Sequence, residues 1–84
     1  MGSSGTVRIE AVWDALDACM PGYHLKATDH YWCIYPRNGE PYRTFPKGRH
    51  GARHNVEIEK GHVRGLARHF NIIECFKRHI PSLS

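Results

Sequence analysis

His30 is the side chain in this sequence best suited to acid–base chemistry. It follows Asp29 at a polar break between two alternating stretches, 23–28 and 31–35. An imidazole titrates near neutral pH, so at a turn between two strands it suits removal of the proton from a ribose 2′-hydroxyl. The residues alone also allow a simpler interpretation, in which His30 is a turn residue hydrogen-bonded to Asp29 or to backbone.

Basic residues follow this turn in the sequence. RNA cleavage without a metal needs cations around the phosphate, because charge builds up on its oxygens during the reaction. The segment Pro46 to Asn55 contains two glycines, several bases and almost nothing apolar, which predicts an exposed loop. The expected RNA-binding residues are Arg43, Lys47, Arg49, Arg53 and His50, the last as a phosphate contact or a second proton carrier. This mechanism requires no metal ion and no cofactor.

Composition favours a polyanionic partner. Lys and Arg outnumber Asp and Glu by 12 to 8, and the bases are concentrated between residues 37 and 78. We expect no membrane span and no signal peptide, because the sequence lacks a long apolar run and a charged start followed by apolar residues. The three cysteines are an odd number among apolar neighbours, which favours reduced core residues of a cytoplasmic protein.

The pattern of apolar residues predicts an α+β fold with two layers, in the order α-β-β-β-α. We expect a first helix over Val7–Cys19 with Thr6 as its N-cap, and a second over Glu59–Asn71. Between them, three short strands form an antiparallel sheet, with an Asn38-Gly39 hairpin signal before the third. A short third helix ends at Pro81. Residues 1–5 are expected to be disordered or tag-derived, and residues 6–84 to form one domain. Trp32 or Tyr42 is the aromatic side chain expected to contact a nucleotide.

Several local patterns resemble the HicA family, the toxins of HicAB toxin–antitoxin systems. The resemblance covers about residues 8–80 and rests on Gly22-Tyr23, Asp29-His30, Phe45-Pro46, Lys60-Gly61-His62-Val63 and the segment Ile72 to Phe76. It implies a fold like that of double-stranded-RNA-binding domains and an mRNA endoribonuclease activity. It also implies that His30 is the single catalytic histidine, and that a HicB-like antitoxin covers it.

The turn departs from the family pattern at one place. It reads Thr28-Asp29-His30, without the glycine and serine that precede the histidine in the family. Asp29 would either orient the imidazole, as a carboxylate partner does elsewhere, or repel an incoming phosphate. An RNA-binding protein that does not cleave is therefore the alternative to a ribonuclease.

Two other chemistries have partial support in the sequence. The segment Gly61 to Ile80 resembles a DNA-binding helix-turn-helix, although Lys77 falls where the second helix needs a buried aliphatic residue. Pairs with ligand-like spacing, His30 with Cys33 and His50 with His54, suggest zinc, but paired cysteines of the usual zinc signature are missing. Cys75 and His79 lie four residues apart on a helix, and alone they form no metal site.

Overall fold

A three-stranded antiparallel sheet lies at the centre of the structure, a computed structural model that describes residues 5–48 and 56–84. Its strands, in spatial order, are β2 (His24–Ala27), β3 (Tyr31–Tyr35) and β4 (Tyr42–Pro46). Aromatic and β-branched residues in these segments suit a half-buried pleated surface. The predicted α+β class, with a three-stranded antiparallel sheet, is confirmed.

Three helices accompany the sheet: α1 (Ile9–Cys19), α2 (Lys60–His69) and α3 (Ile73–His79). A short 3₁₀ helix follows at Pro81–Leu83. The helices bury stripes of apolar residues at helical spacing, such as Val12 and Leu16 on α1. These side chains share one core with Ile34 and Phe45 of the sheet. None of the described helices is long and apolar enough to cross a membrane.

A second, two-stranded sheet was not predicted. Strand β1 (Thr6–Arg8) pairs antiparallel with β5 (Glu57–Glu59), with buried Val7 opposite buried Ile58. The first helix therefore begins at Ile9 rather than Val7, and Thr6 is a strand residue instead of an N-cap. Three-residue strands separated by about fifty residues carry too few alternations to be recognised in a sequence window.

This strand pair joins the starts of the two long helices. Each strand runs directly into a helix, β1 into α1 and β5 into α2. The Ile9 amide donates to the Val56 carbonyl at 3.0 Å, and the Thr6 hydroxyl donates to the Glu57 carboxylate. These bonds hold the start of α1 to the segment that leads through β5 into α2.

The cysteine prediction is wrong for two of the three residues. Cys19, at the end of α1, forms a disulfide with Cys75 in α3, and their Cα atoms are 5.9 Å apart. Cys33 is a free, buried cysteine, as expected. A pairing between residues 56 positions apart cannot be read from a sequence with three cysteines, because any of three pairs would be possible.

Tyr23 gives the fold a dependence on alkaline pH. Burial and the nearby Asp17 and Asp14 carboxylates raise the pKa of Tyr23 to about 12, and its hydroxyl donates to the Trp13 carbonyl at 3.4 Å. The unfolded chain releases this proton near pH 10, so the contribution of Tyr23 to stability is present below that pH and is lost as the pH rises toward 12.

We therefore predict that Tyr23→Phe flattens the alkaline loss of stability. Urea unfolding followed at intervals from about pH 9 to pH 12 should show the free energy of unfolding falling less steeply in the variant than in the wild type. An equally steep fall in both proteins would contradict this assignment of Tyr23.

Candidate nucleic-acid interface

His30 lies in a two-residue loop between β2 and β3. Ala27 pairs with Trp32, and the Thr28 amide donates to the Tyr31 carbonyl at 2.8 Å, which leaves Asp29 and His30 as the loop. Neither loop residue has a positive φ, so the turn is not one of the mirror-image types that two-residue hairpins favour. The Thr28 hydroxyl accepts a hydrogen bond from the Tyr31 amide at 3.0 Å and stabilises this less common turn.

The His30 ring is exposed at the tip of this hairpin. Within residues 5–48 and 56–84, its nitrogens have no hydrogen-bond partner in the protein. The simpler interpretation, in which Asp29 or the backbone holds the ring, therefore finds no such bond in this part of the chain. Both ring nitrogens are available to a ligand that approaches the hairpin.

Lys47 places a cation beside the turn of the same hairpin. Its ammonium donates to the Thr28 carbonyl at 2.9 Å and lies 5.6 Å from the centre of the Trp32 ring. The pairing of Tyr31 with Pro46 brings the two segments together, since it sets the end of β4 beside the start of β3. A phosphate that approached His30 would therefore meet a positioned positive charge.

Arg43 is exposed because β4 contains a β-bulge. Trp32 pairs with Phe45 and Ile34 with Tyr42, so one extra residue of β4 lies between the two pairs. Simple alternation would put Arg43 on the buried side with Phe45, whereas the bulge leaves Arg43 facing solvent. The sequence predicted Arg43 as a site residue but carried no signal for this bulge.

A hydrogen bond from a thiol to a backbone carbonyl supports the bulge. The Cys33 thiol, opposite the bulge on β3, lies 3.7 Å from the Arg43 carbonyl and donates to it. The buried cysteine thus satisfies a carbonyl in the irregular part of the ladder, where the regular pattern of strand bonds is interrupted. Cys33 is consequently a structural residue of this strand rather than a free ligand.

Tyr31 is the most exposed of the three aromatic side chains Tyr31, Trp32 and Tyr42. Tyr31 is 44% exposed. Trp32 instead packs edge-on against Trp13, with 5.6 Å between the ring centres, and Tyr42 packs against His69, with 5.2 Å between the ring centres. Trp32 alternates with Tyr31 along β3, and α1 covers the face on which Trp32 lies. The expectation for Trp32 and Tyr42 is therefore corrected.

The sheet face turned away from the helices carries two more polar side chains. His24 pairs with Tyr35, and Lys26 pairs with Cys33, so both lie on the same face as Tyr31. We call Tyr31, Lys26 and His24 the outer face. Sequence reasoning did not select Lys26 as a site residue, although the alternation of residues 23–28 was the available signal.

Three predicted site residues lie outside the described part of the chain. Arg49, His50 and Arg53 fall between residues 48 and 56, and so does His54 of the zinc alternative. The neighbouring pocket of about 200 Å³ is lined by Pro46, Gly48, Glu57, Ile58, Glu59 and His62. Its two carboxylates, from Glu57 and Glu59, make it a poor phosphate site.

No family model matches this chain, and neither the curated proteins nor the solved structures provide a match.

Proposed function

We propose that this chain binds RNA through the outer face and the Asp29–His30 hairpin, and cleaves it as a metal-independent endoribonuclease. The observation that carries the proposal is the Lys47 ammonium, which donates at 2.9 Å to the Thr28 carbonyl beside the hairpin tip. That tip exposes the His30 ring, which has no hydrogen-bond partner among the described residues. Acid–base catalysis at a phosphodiester needs such a pair, a titratable group and a fixed cation near the same phosphate.

In the proposed reaction, His30 removes the proton from a ribose 2′-hydroxyl. The 2′-oxygen then attacks the adjacent phosphorus, and the bond from phosphorus to the 5′-oxygen breaks. The leaving oxygen takes a proton from an imidazolium, either His30 itself or His50. The products are a 2′,3′-cyclic phosphate and a 5′-hydroxyl. Lys47 stabilises the negative charge on the phosphate oxygens, and Arg43 binds a neighbouring phosphate.

The wider context of the proposal is the HicA family. The order α1-β2-β3-β4-α2 supports a fold like that of double-stranded-RNA-binding domains. The substrate would then be mRNA in the cytoplasm, and a HicB-like antitoxin would block cleavage by covering the exposed His30. A non-catalytic RNA-binding role uses the same outer face without the proton transfer.

A helix-turn-helix role for residues 61–80 also has one observation in its favour. Asn71 adopts a left-handed conformation, with a φ of 59°, between α2 and α3. The Ile72 amide donates to the Ala67 carbonyl at 2.8 Å, which ends α2 abruptly and starts the second helix of a pair. Preference for duplex DNA over RNA would favour this role over the outer face.

We predict that removing the charge of Lys47 or of Arg43 weakens RNA binding and makes it less dependent on salt. Labelled single-stranded RNA and duplex DNA would be titrated at about 50 and 200 mM salt with wild type, Lys47→Gln and Arg43→Gln. Each variant should bind RNA less tightly. The decrease of log affinity with log salt should become less steep by about 0.7, because one phosphate contact on a single strand is lost.

Arg68→Gln is the matched control, because Arg68 is exposed on α2, away from the hairpin. It should keep the wild-type slope. An equal loss in all three variants would mean that binding follows net charge alone. Affinity that does not change with salt would contradict a phosphate-dominated contact.

A further inference from the structure

The ends of α1 and α3 bring together two sulfurs and an imidazole. Cys75 and His79 lie four residues apart on α3 and so occupy the same face of that helix. Cys19, the last residue of α1, meets them there, and the three ligand atoms lie within 4.8 Å of one another. The sequence contained the pair on α3, but only the packing of α1 against α3 adds the third ligand.

We propose that the reduced form of this chain binds one zinc ion through Cys19, Cys75 and His79. Two thiolates and one imidazole are a ligand set that zinc prefers, at distances of about 2.3 Å to sulfur and 2.0–2.1 Å to nitrogen. Ligand atoms of a tetrahedral site are then roughly 3.5–3.8 Å apart, so the observed separation requires only small side-chain movements once the disulfide is open.

The fourth position of this site would hold water. Cys19 and Cys75 are half-buried and His79 is exposed, so the cluster opens to solvent on one side. The site lies at the end of α1 that leads into β2, whereas the His30 hairpin lies at the other end of that strand. It is therefore separate from the proposed ribonuclease chemistry, which needs no metal.

The disulfide and the metal use the same sulfurs and exclude each other. A dithiol or phosphine reductant supplies two electrons, the S–S bond breaks, and each sulfur takes up one proton to become a thiol. Zinc then displaces those two protons and binds the thiolates. In a reducing compartment the metal would tie α1 to α3 in place of the covalent bond.

The test measures zinc on the full-length protein. The wild type would be reduced with a phosphine, incubated with zinc, freed of excess metal by gel filtration, and analysed for zinc per chain. A parallel sample with cobalt(II) reports thiolate ligation and tetrahedral geometry by its absorption spectrum. We expect one metal ion per reduced chain and almost none on the oxidised chain.

Variants decide whether these three residues form the site. His79→Ala should weaken zinc affinity by more than about 100-fold, since even loss of an outer-shell partner weakens metal sites 10–100-fold. Cys75→Ser should abolish stoichiometric binding. His24→Ala and Cys33→Ala should retain one zinc, because these residues lie in the sheet, outside the cluster. Circular dichroism of each variant would verify that it is folded.

Two results would overturn the proposal. One is a reduced wild type that retains no zinc after gel filtration. The other is a folded His79→Ala variant that binds zinc as tightly as the wild type, because the metal would then be held by cysteines alone. Loss of RNA cleavage would not bear on this site, since the proposed reaction proceeds without metal.

Discussion

Phe45→Ala is expected to remove a large fraction of the stability of this protein. Phe45 is 0% exposed, and its ring lies 5.9 Å from that of Trp13 on α1. Truncation of a fully buried phenylalanine destabilises proteins by about 3–5 kcal/mol, through lost burial and the cavity that remains. A chain of 84 residues has a free energy of unfolding of about 4–13 kcal/mol, so the loss is a large fraction of the total.

Urea unfolding of Phe45→Ala and of Thr44→Ala would measure this difference. Thr44 is the adjacent exposed residue in the bulge, and its truncation should change stability by no more than about 0.5 kcal/mol. Because β4 also carries Arg43 and leads to Lys47, Phe45→Ala should weaken RNA binding as well. A loss below about 1 kcal/mol would mean that β4 does not pack on the core as described.

His30→Ala is expected to have the largest effect on activity. A positioned general base or acid contributes about 10²–10⁴-fold to a reaction rate, so RNA cleavage should fall by that factor. The ring is exposed and has no hydrogen-bond partner among the described residues, so its removal should leave the fold and the melting temperature unchanged. RNA affinity should also change little, because Lys47 and the outer face remain.

His62→Ala is the matched control for this variant. His62 is another exposed histidine, and it lies on α2, outside both the hairpin and the outer face. It should retain nearly the wild-type rate of cleavage. Equal rates in wild type and His30→Ala would show that His30 is a structural turn residue, and equal losses in both variants would show that histidines act only through charge.

The sheet was predictable because its signals are local. The alternation of residues 23–28 and 31–35 and the polar Asp29-His30 break determine which residues face each other across the hairpin. The connection after β3 was less predictable. The Asn38-Gly39 signal indicates a two-residue turn, but six residues, 36–41, separate β3 from β4. The prolines at both ends of that segment keep it out of the strands.

What the sequence did not reveal depends on distant contacts. The pairing of β1 with β5 and the Cys19–Cys75 disulfide each join residues about fifty positions apart. The exposure of Arg43 depends on one extra residue in β4, and no local pattern indicates it. Tyr31 and Trp32 are alike in composition, and only the position of α1 decides that Trp32 is covered and Tyr31 is not.

The most direct test of the proposed function is cleavage of RNA in EDTA by the purified wild type. The substrate would be a single-stranded RNA, with the same sequence in DNA as the control that lacks the 2′-hydroxyl. We predict that the RNA is cut to products ending in 2′,3′-cyclic phosphate while the DNA remains intact. RNA that stays intact in EDTA while bound to the protein would contradict the ribonuclease and leave an RNA-binding protein.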